Sequence, residues 1–373
     1  MLQKALVLVF VVTSIAGSIG CSTSNHYVYA ALPAANQVAA YREDPYSGTL
    51  TQLSGSPYTV GDGAISVVLH PSGKFLYVAN PGQEENDISL FNIQSNGTLI
   101  EVPPRTSVAP ASLPELLVMD PAGAFLYVAN AGSNDISVFS IDSGSGALTQ
   151  VTSSTSSPGS PFYIGLTPLT MQITPSGKFL YVSLSGGTAG TNNGSIATFS
   201  VRAGKLSRIG PLTSTDGFNP NGLAIDPSGK YLYVANTGSP SIAIFTIGAS
   251  GVLEDNVPGS PLADIYSDPF SLLLDPKGQY LYVANQGSNN VAVYSISSTT
   301  GLPVALTTST STFAFNAESN PSFLVEDPNG NYLFVGNRGG SAGIQAFGVS
   351  NGNLNPLFTY GVGNTPSSIA VTQ

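Results

Sequence analysis

A short segment recurs six times along the chain, and recurrence at a fixed period restricts a fold more than any composition can. His70-Pro-Ser-Gly-Lys-Phe-Leu-Tyr-Val-Ala-Asn80 returns as Asp120-Pro-Ala-Gly-Ala-Phe-Leu-Tyr-Val-Ala-Asn130 and Thr174-Pro-Ser-Gly-Lys-Phe-Leu-Tyr-Val-Ser183. The later copies begin at Asp226 and Asp275, and the last reads Asp327-Pro-Asn-Gly-Asn-Tyr-Leu-Phe-Val-Gly-Asn337. The spacing is about 51 residues, so the chain beyond residue 20 holds about seven units and no second domain.

Each unit reads as four short strands. An apolar stretch such as Gly222-Leu-Ala-Ile225 leads into the Asp-Pro-x-Gly segment, whose residues suit a type I turn. The Tyr-Leu-Tyr-Val run is the second strand. The third alternates with period two, as in Asp135-Ile-Ser-Val-Phe-Ser-Ile141, and a Gly-containing turn leads to a fourth such as Gly97-Thr-Leu-Ile-Glu-Val102. Four strands at this period are the blade of a β-propeller. The expected fold is therefore all-β, a seven-bladed propeller over residues 26–373. One unit is split. Tyr27-Val-Tyr-Ala-Ala31 has no first strand before it, whereas Pro366-Ser-Ser-Ile-Ala-Val-Thr372 stands at the chain's end without a second strand after it. Pairing the C-terminal strand with the N-terminal blade closes the ring and leaves no open inner edge. The 17 tyrosines are expected to fill the gaps between blades, with their hydroxyls reaching partners near the rim.

Residues 1–20 read as an export signal: Lys4, a short apolar run from Ala5 to Val12, then small residues up to Cys21. The run is too short for the roughly 20 residues of a spanning helix. Gly20-Cys21 resembles the cleavage site of bacterial lipoproteins, which implies lipidation of Cys21, a five-residue tether (21–25) and location in the cell envelope. Secretion as a soluble or periplasmic protein is the alternative. Contact with a membrane is expected only through that lipid.

Charge and composition remove several classes of function. Lys and Arg number 11 against 21 Asp and Glu, which excludes nucleic acid as a partner because phosphate neutralisation needs clustered bases. A single cysteine excludes an internal disulfide and a cysteine zinc cluster, and two histidines leave little for a histidine-rich metal site or a Ser-His-Asp triad. Neither a metal nor a cofactor is expected, and a monomer is. The Glu84-Glu85-Asn86-Asp87 loop offers oxygen ligands but lacks the ordered spacing of a calcium loop, so it reads as a solvated acidic loop. Asn80, Asn130, Asn236, Asn285 and Asn337 end second strands and read first as left-handed turn formers.

Propellers bind ligands where the loops leading into the first strands meet those joining the second to the third. The first set here carries Asp62, Arg105, Glu115, Asp216, Asp264, Asp268 and Glu318. The second carries Glu84, Glu85, Asp87, Asp135 and Arg338. His70 stands in a turn on the opposite face. Acids outnumber bases in this funnel, which disfavours an anionic ligand unless Arg105 and Arg338 converge. Opening a lactone needs a base to activate water and a donor for the oxyanion. Glu115 or Asp268 could serve as the base and Arg105 or Arg338 as the donor, with Glu318 and Asp216 as further ligand-binding groups.

The Tyr-Val-Ala-Asn run after Pro-x-Gly resembles the repeat of Tyr-Val-Thr-Asn propellers found in bacterial surface proteins. The whole unit resembles the seven-bladed lactonase family, which includes 6-phosphogluconolactonase and carboxymuconate-cyclising enzymes. The resemblance covers nearly all of residues 26–373. Enzymes of that family tend to carry a His just after the Pro that opens a first strand, with Arg and Glu nearby. The corresponding residues here are Glu115, Leu169, Asn221, Phe270, Ser322 and Ser367, and none is His. The expectation is a lipid-anchored, lactonase-like propeller that acts as an envelope binding module for a small molecule, a glycan or an envelope protein. The alternative is a lactonase that hydrolyses a sugar or muconate-type lactone. On the first reading, 6-phosphogluconolactone is not turned over at a useful rate.

Overall fold

The computed structural model describes residues 25–82, 86–109, 112–152, 159–186, 193–255, 257–264, 266–306, 314–339 and 343–373. The signal, Cys21 and the tether up to residue 24 lie outside the described residues, as do Glu84 and Glu85.

Seven antiparallel sheets form the ring. Blade 1 starts at strand Ser66–Leu69, blade 2 at Pro114–Met119 and blade 3 at Pro168–Ile173. Blades 4, 5 and 6 start at Pro220–Ile225, Pro269–Leu274 and Pro321–Glu326. Blade 7 is the split one: its innermost strand is Ser368–Val371, and the next three are His26–Leu32, Gln37–Glu43 and Leu50–Gln52. Each innermost strand touches the innermost strands of its two neighbours, so the seven surround a central channel.

Six of the blades carry a fifth short segment that the four-strand reading missed. In blade 2, Leu148–Gln150 pairs with the end of the third strand, and after a loop Phe162–Tyr163 pairs with its start. Two short pieces thus share one outer edge, which keeps it from templating another chain. Blade 6 does the same with one long strand, Asn353–Gly361.

The turn chemistry of the repeat explains how the split blade holds. In blades 2 to 6 the side chain of the turn's first residue accepts the backbone N–H five residues on. Examples are Phe125 N to Asp120 Oδ1 at 2.6 Å and Phe179 N to Thr174 Oγ1 at 3.1 Å. In blade 7 the covalent link is missing, yet Tyr27 N donates to Thr372 Oγ1 at 2.8 Å, 345 residues away. Four ladder pairs, from Val28 opposite Val371 to Ala31 opposite Ser368, complete the joint.

Blade faces meet through an aromatic against a glycine. A Cβ on Gly97 would lie 2.2 Å from Tyr27 of blade 7, and one on Gly48 would lie 2.4 Å from Tyr332 of blade 6. Both glycines have positive φ (80° and 67°), so close approach and conformation each demand Gly there. The second tyrosine of the run reaches the same neighbouring turn. Tyr29, Tyr77, Tyr181 and Tyr233 donate to the carbonyls of Gly97, Gly146, Gly251 and Gly301 at 2.7–2.8 Å. The expected rim contact of the tyrosine hydroxyls is met at these four.

The repeated asparagines behave differently from the expectation. None of the five is left-handed. Asn80 and Asn130 are fully buried and donate to Asp87 Oδ1 and Asp135 Oδ1, each at 2.7 Å, and to Ser89 and Ser137. They tie the end of the second strand to the start of the third. The left-handed asparagines one position before a third strand are instead Asn36, Asn134 and Asn289, at φ 54°, 56° and 52°. A buried amide next to strand-opening polar groups gains more from bonding them than from a turn that leaves them bare.

His70 is buried and bridges two turns of the face opposite the funnel. Its Nδ1 lies 2.7 Å from Ser72 Oγ and its Nε2 3.0 Å from the Gly123 carbonyl of blade 2. Burial lowers its pKa.

Candidate functional site

The mouth of the channel is built by one repeated irregularity. After the opening proline each innermost strand of blades 2 to 6 slips register by a bulge, and the slipped residues are Glu115, Leu169, Asn221, Phe270 and Ser322. A bulge re-aims its side chain out of the ladder. The segment ahead of each strand is zipped to the residue that follows the neighbouring second strand, as in Gln286 N to Asp268 O at 2.9 Å and Arg338 N to Asn320 O at 3.0 Å. Both kinds of loop therefore converge on the mouth, as the repeat implied.

Arg338 stands at this mouth between blades 5 and 6. Its guanidinium carbon lies 4.5 Å from the ring centre of Phe323 and 5.4 Å from that of the bulge residue Phe270. Cation–π contact to two rings holds the group at modest energy. Its Nε and Nη2 are shut off from water and have no hydrogen-bond partner among the described residues. Desolvation pushes its pKa down to about 8. A guanidinium presents five N–H donors in a fixed fork and accepts nothing, so this one is shaped for an incoming oxygen. Beside it, Gln286 Nε2 donates to Ser322 Oγ at 2.6 Å, adding a polar wall.

The other candidate groups divide by place. Asp268 directly precedes Pro269 and Phe270, and Glu318 lies two residues before Asn320, so each is a near chain neighbour of a residue that contacts Arg338. Asp268 is exposed and held at φ 55°; the Glu318 N–H is fixed by Gln345 Oε1 at 3.0 Å. Glu115 sits on the blade 2 bulge, half-buried. Asp216 precedes blade 4 and is exposed, with its Oδ1 accepting from Ser214 Oγ at 2.8 Å. Arg105 does not point to Arg338. It pairs with Glu101 at 2.8 Å beside the outer strand of blade 1. Asp87 and Asp135 are held by the buried asparagines, and Asp264 takes the Tyr294 hydroxyl at 2.8 Å. The raw surplus of acids in these loops thus overstates what faces the mouth.

Two features escaped the sequence. Phe323, on the strand paired with Arg338's own, holds the guanidinium, and Gln286 reaches Ser322 across from blade 5. The second is a buried group on the opposite face: His26, Glu43 and Asp327 have donor atoms within 4.8 Å of one another.

The sequence profile described as "Lactonase, 7-bladed beta-propeller" matches residues 21–162, 170–261 and 262–313. The chain belongs to that lactonase family. A 6-phosphogluconolactonase of Formosa agariphila is 46% identical over 77 residues, a match spanning 20% of each chain. Among solved structures, a Bacteroides fragilis protein proposed to be a 6-phosphogluconolactonase superposes with a TM-score of 0.75 at 20% identity, covering 95% of this chain and all of that one. The periplasmic gluconolactonase of Pseudomonas aeruginosa gives 0.73 at 16% identity, covering 94% of this chain and 99% of its own.

Proposed function

We propose that this chain is a lactone hydrolase whose site is the channel mouth between blades 5 and 6. The alternative raised by the sequence fits the family membership better than a pure binding role does. The observation that carries it is Arg338, a cation held between two rings whose buried Nε and Nη2 have no acceptor among the described residues. A lactone carbonyl oxygen is such an acceptor, and its charge grows in the transition state, where a preoriented donor is worth most. Water attacks the carbonyl carbon and loses a proton to a base. The tetrahedral oxyanion collapses, the ring C–O bond breaks, and the ring oxygen takes a proton to give the hydroxy acid. Asp268 is the base we favour because it flanks the Arg338–Phe270 contact and is open to solvent. Glu318 is the second choice, and Glu115 stands on blade 2.

The substrate class is a sugar lactone, since the polar wall of Gln286 and Ser322 offers partners for ring hydroxyls. Purified chain should open glucono-δ-lactone or its 6-phosphate above the spontaneous rate. Asp268→Asn should lower kcat while leaving KM within about threefold, as loss of a base active only in the transition state does. A chain that accelerates neither lactone returns the molecule to the binding-module reading.

Export and lipid anchoring at Cys21 remain part of the proposal, supported by the order of residues 1–21. Labelled fatty acid should appear on the wild-type chain and be absent from Cys21→Ser. A wild-type chain that never takes up label removes the anchor.

A further inference from the structure

The closing blade breaks the repeat at one buried position. Where the other third strands carry Ile93, Ile141, Val201, Ile247, Ile296 and Val349 at or next to their ends, blade 7 has Glu43. Glu43 is wholly buried, and its cross-strand partner is His26, 3% exposed. Glu43 Oε2 forms a long ion pair with His26 Nδ1 at 3.5 Å, and among the described residues neither carboxylate oxygen of Glu43 nor His26 Nδ1 has a hydrogen-bond partner. A buried carboxylate whose contact is one long ion pair to an imidazole is under-compensated, and burying such a group is costly. The third member, Asp327, comes from the turn of blade 6 and is 1% exposed. Its Oδ1 accepts from Asn331 N and Tyr332 N, and its Oδ2 from Asn329 N alone, so an oxygen lone pair stays available.

We propose that His26, Glu43 and Asp327 bind one divalent metal ion, zinc by the chemistry of the donors, as a staple between blades 6 and 7. One imidazole and two carboxylates are a common donor set for zinc, with bonds of about 2.0–2.2 Å, and a water fills the fourth place. Donor atoms within 4.8 Å of one another need move only slightly to share one ion. Two negative carboxylates balance its charge. The ion would tie the first strand of the chain to the turn of the preceding blade, beside the joint inside blade 7 where the chain's two ends pair without a covalent link. The role is structural: Asp327 and Arg338 stand at opposite ends of one strand, about 20 Å apart at 3.3 Å per residue, so the site is separate from the channel mouth.

The test is metal content and stability of the purified chain. After chelation and desalting, equilibration with micromolar zinc chloride should return about one zinc per chain and raise Tm by roughly 5 °C. Cobalt should give visible absorption of a tetrahedral N/O site. Glu43→Ile, which copies the other blades, should fold, lose the cobalt band and show no response of Tm to chelator. His26→Gln should lose the same signals and serves as the second variant if Glu43→Ile fails to fold. No zinc retained by the wild-type chain overturns the proposal, leaving a His26–Glu43 pair alone. Equal retention by both variants also overturns it, since the ion then sits elsewhere.

Discussion

Arg105 and Arg338 carry the same charge and were equal candidates in the sequence, yet their surroundings assign them different work. Arg105 spends its charge on Glu101 at 2.8 Å with both side chains about a third exposed, where such pairs contribute little. Arg338 has two aromatic rings and no anion among the described residues. A second residue-scale contrast concerns Glu326. The equivalent residues in the other blades are Leu69, Met119, Ile173, Ile225, Leu274 and Val371, so burial of a carboxyl there pushes its pKa up to about 8. With an unfolded value near 4.5, the folded chain holds a proton that the unfolded chain has released between about pH 4.5 and 8. Stability from this group is complete below the lower value and falls as pH rises through the window. Glu326→Gln keeps the shape without the titration. Its Tm should match the parent near pH 4.5 and exceed it at pH 8, checked by paired thermal melts at the two pH values. Neither Glu326 nor Glu43 stood out in the sequence, which does not say what stands beside either. That information lies in the register between blades, which no single repeat contains.

At the scale of elements, the tyrosine hydroxyls provide an internal control. Tyr233 bonds the Gly301 carbonyl at 2.7 Å, whereas the hydroxyl of Tyr282, equally buried, has no partner among the described residues. Tyr233→Phe should cost about 1 kcal/mol because it strips a buried acceptor of its donor. Tyr282→Phe should be neutral or stabilising. Denaturant melts of the two variants decide this, and equal costs would mean that the hydroxyl bond is not what links blade to blade. The strands, their order and the turn residues were legible because period and turn chemistry are local. The fifth segment in six blades was not, since two- and three-residue pieces carry too little periodicity. The asparagines were misread for a related reason. A residue just before a glycine-bearing loop looks like a turn former until the buried polar groups of the third strand are known.

Closure of the ring is a property of the whole molecule, and it rests on a strand at one end of the sequence pairing with one at the other. Deleting residues 364–373 removes Ile369 and Val371, both essentially buried, worth roughly 1.5–3 kcal/mol each by burial alone. It also removes the Thr372 acceptor of Tyr27 N. The truncated chain should melt well below the parent, and a Tm within a degree or two of the parent would mean that the seam contributes nothing. A closed ring sets the loops of separate blades around one mouth, and chemistry depends on what those loops carry rather than on the ring itself. The measurement that bears most directly on that chemistry is the initial rate of sugar-lactone opening by wild-type chain and by Arg338→Gln, with Tm recorded for both. Loss of the oxyanion donor predicts a fall of about 10²–10³-fold in kcat with Tm unchanged. Equal rates in the two proteins would contradict the assignment of the channel mouth as the catalytic site.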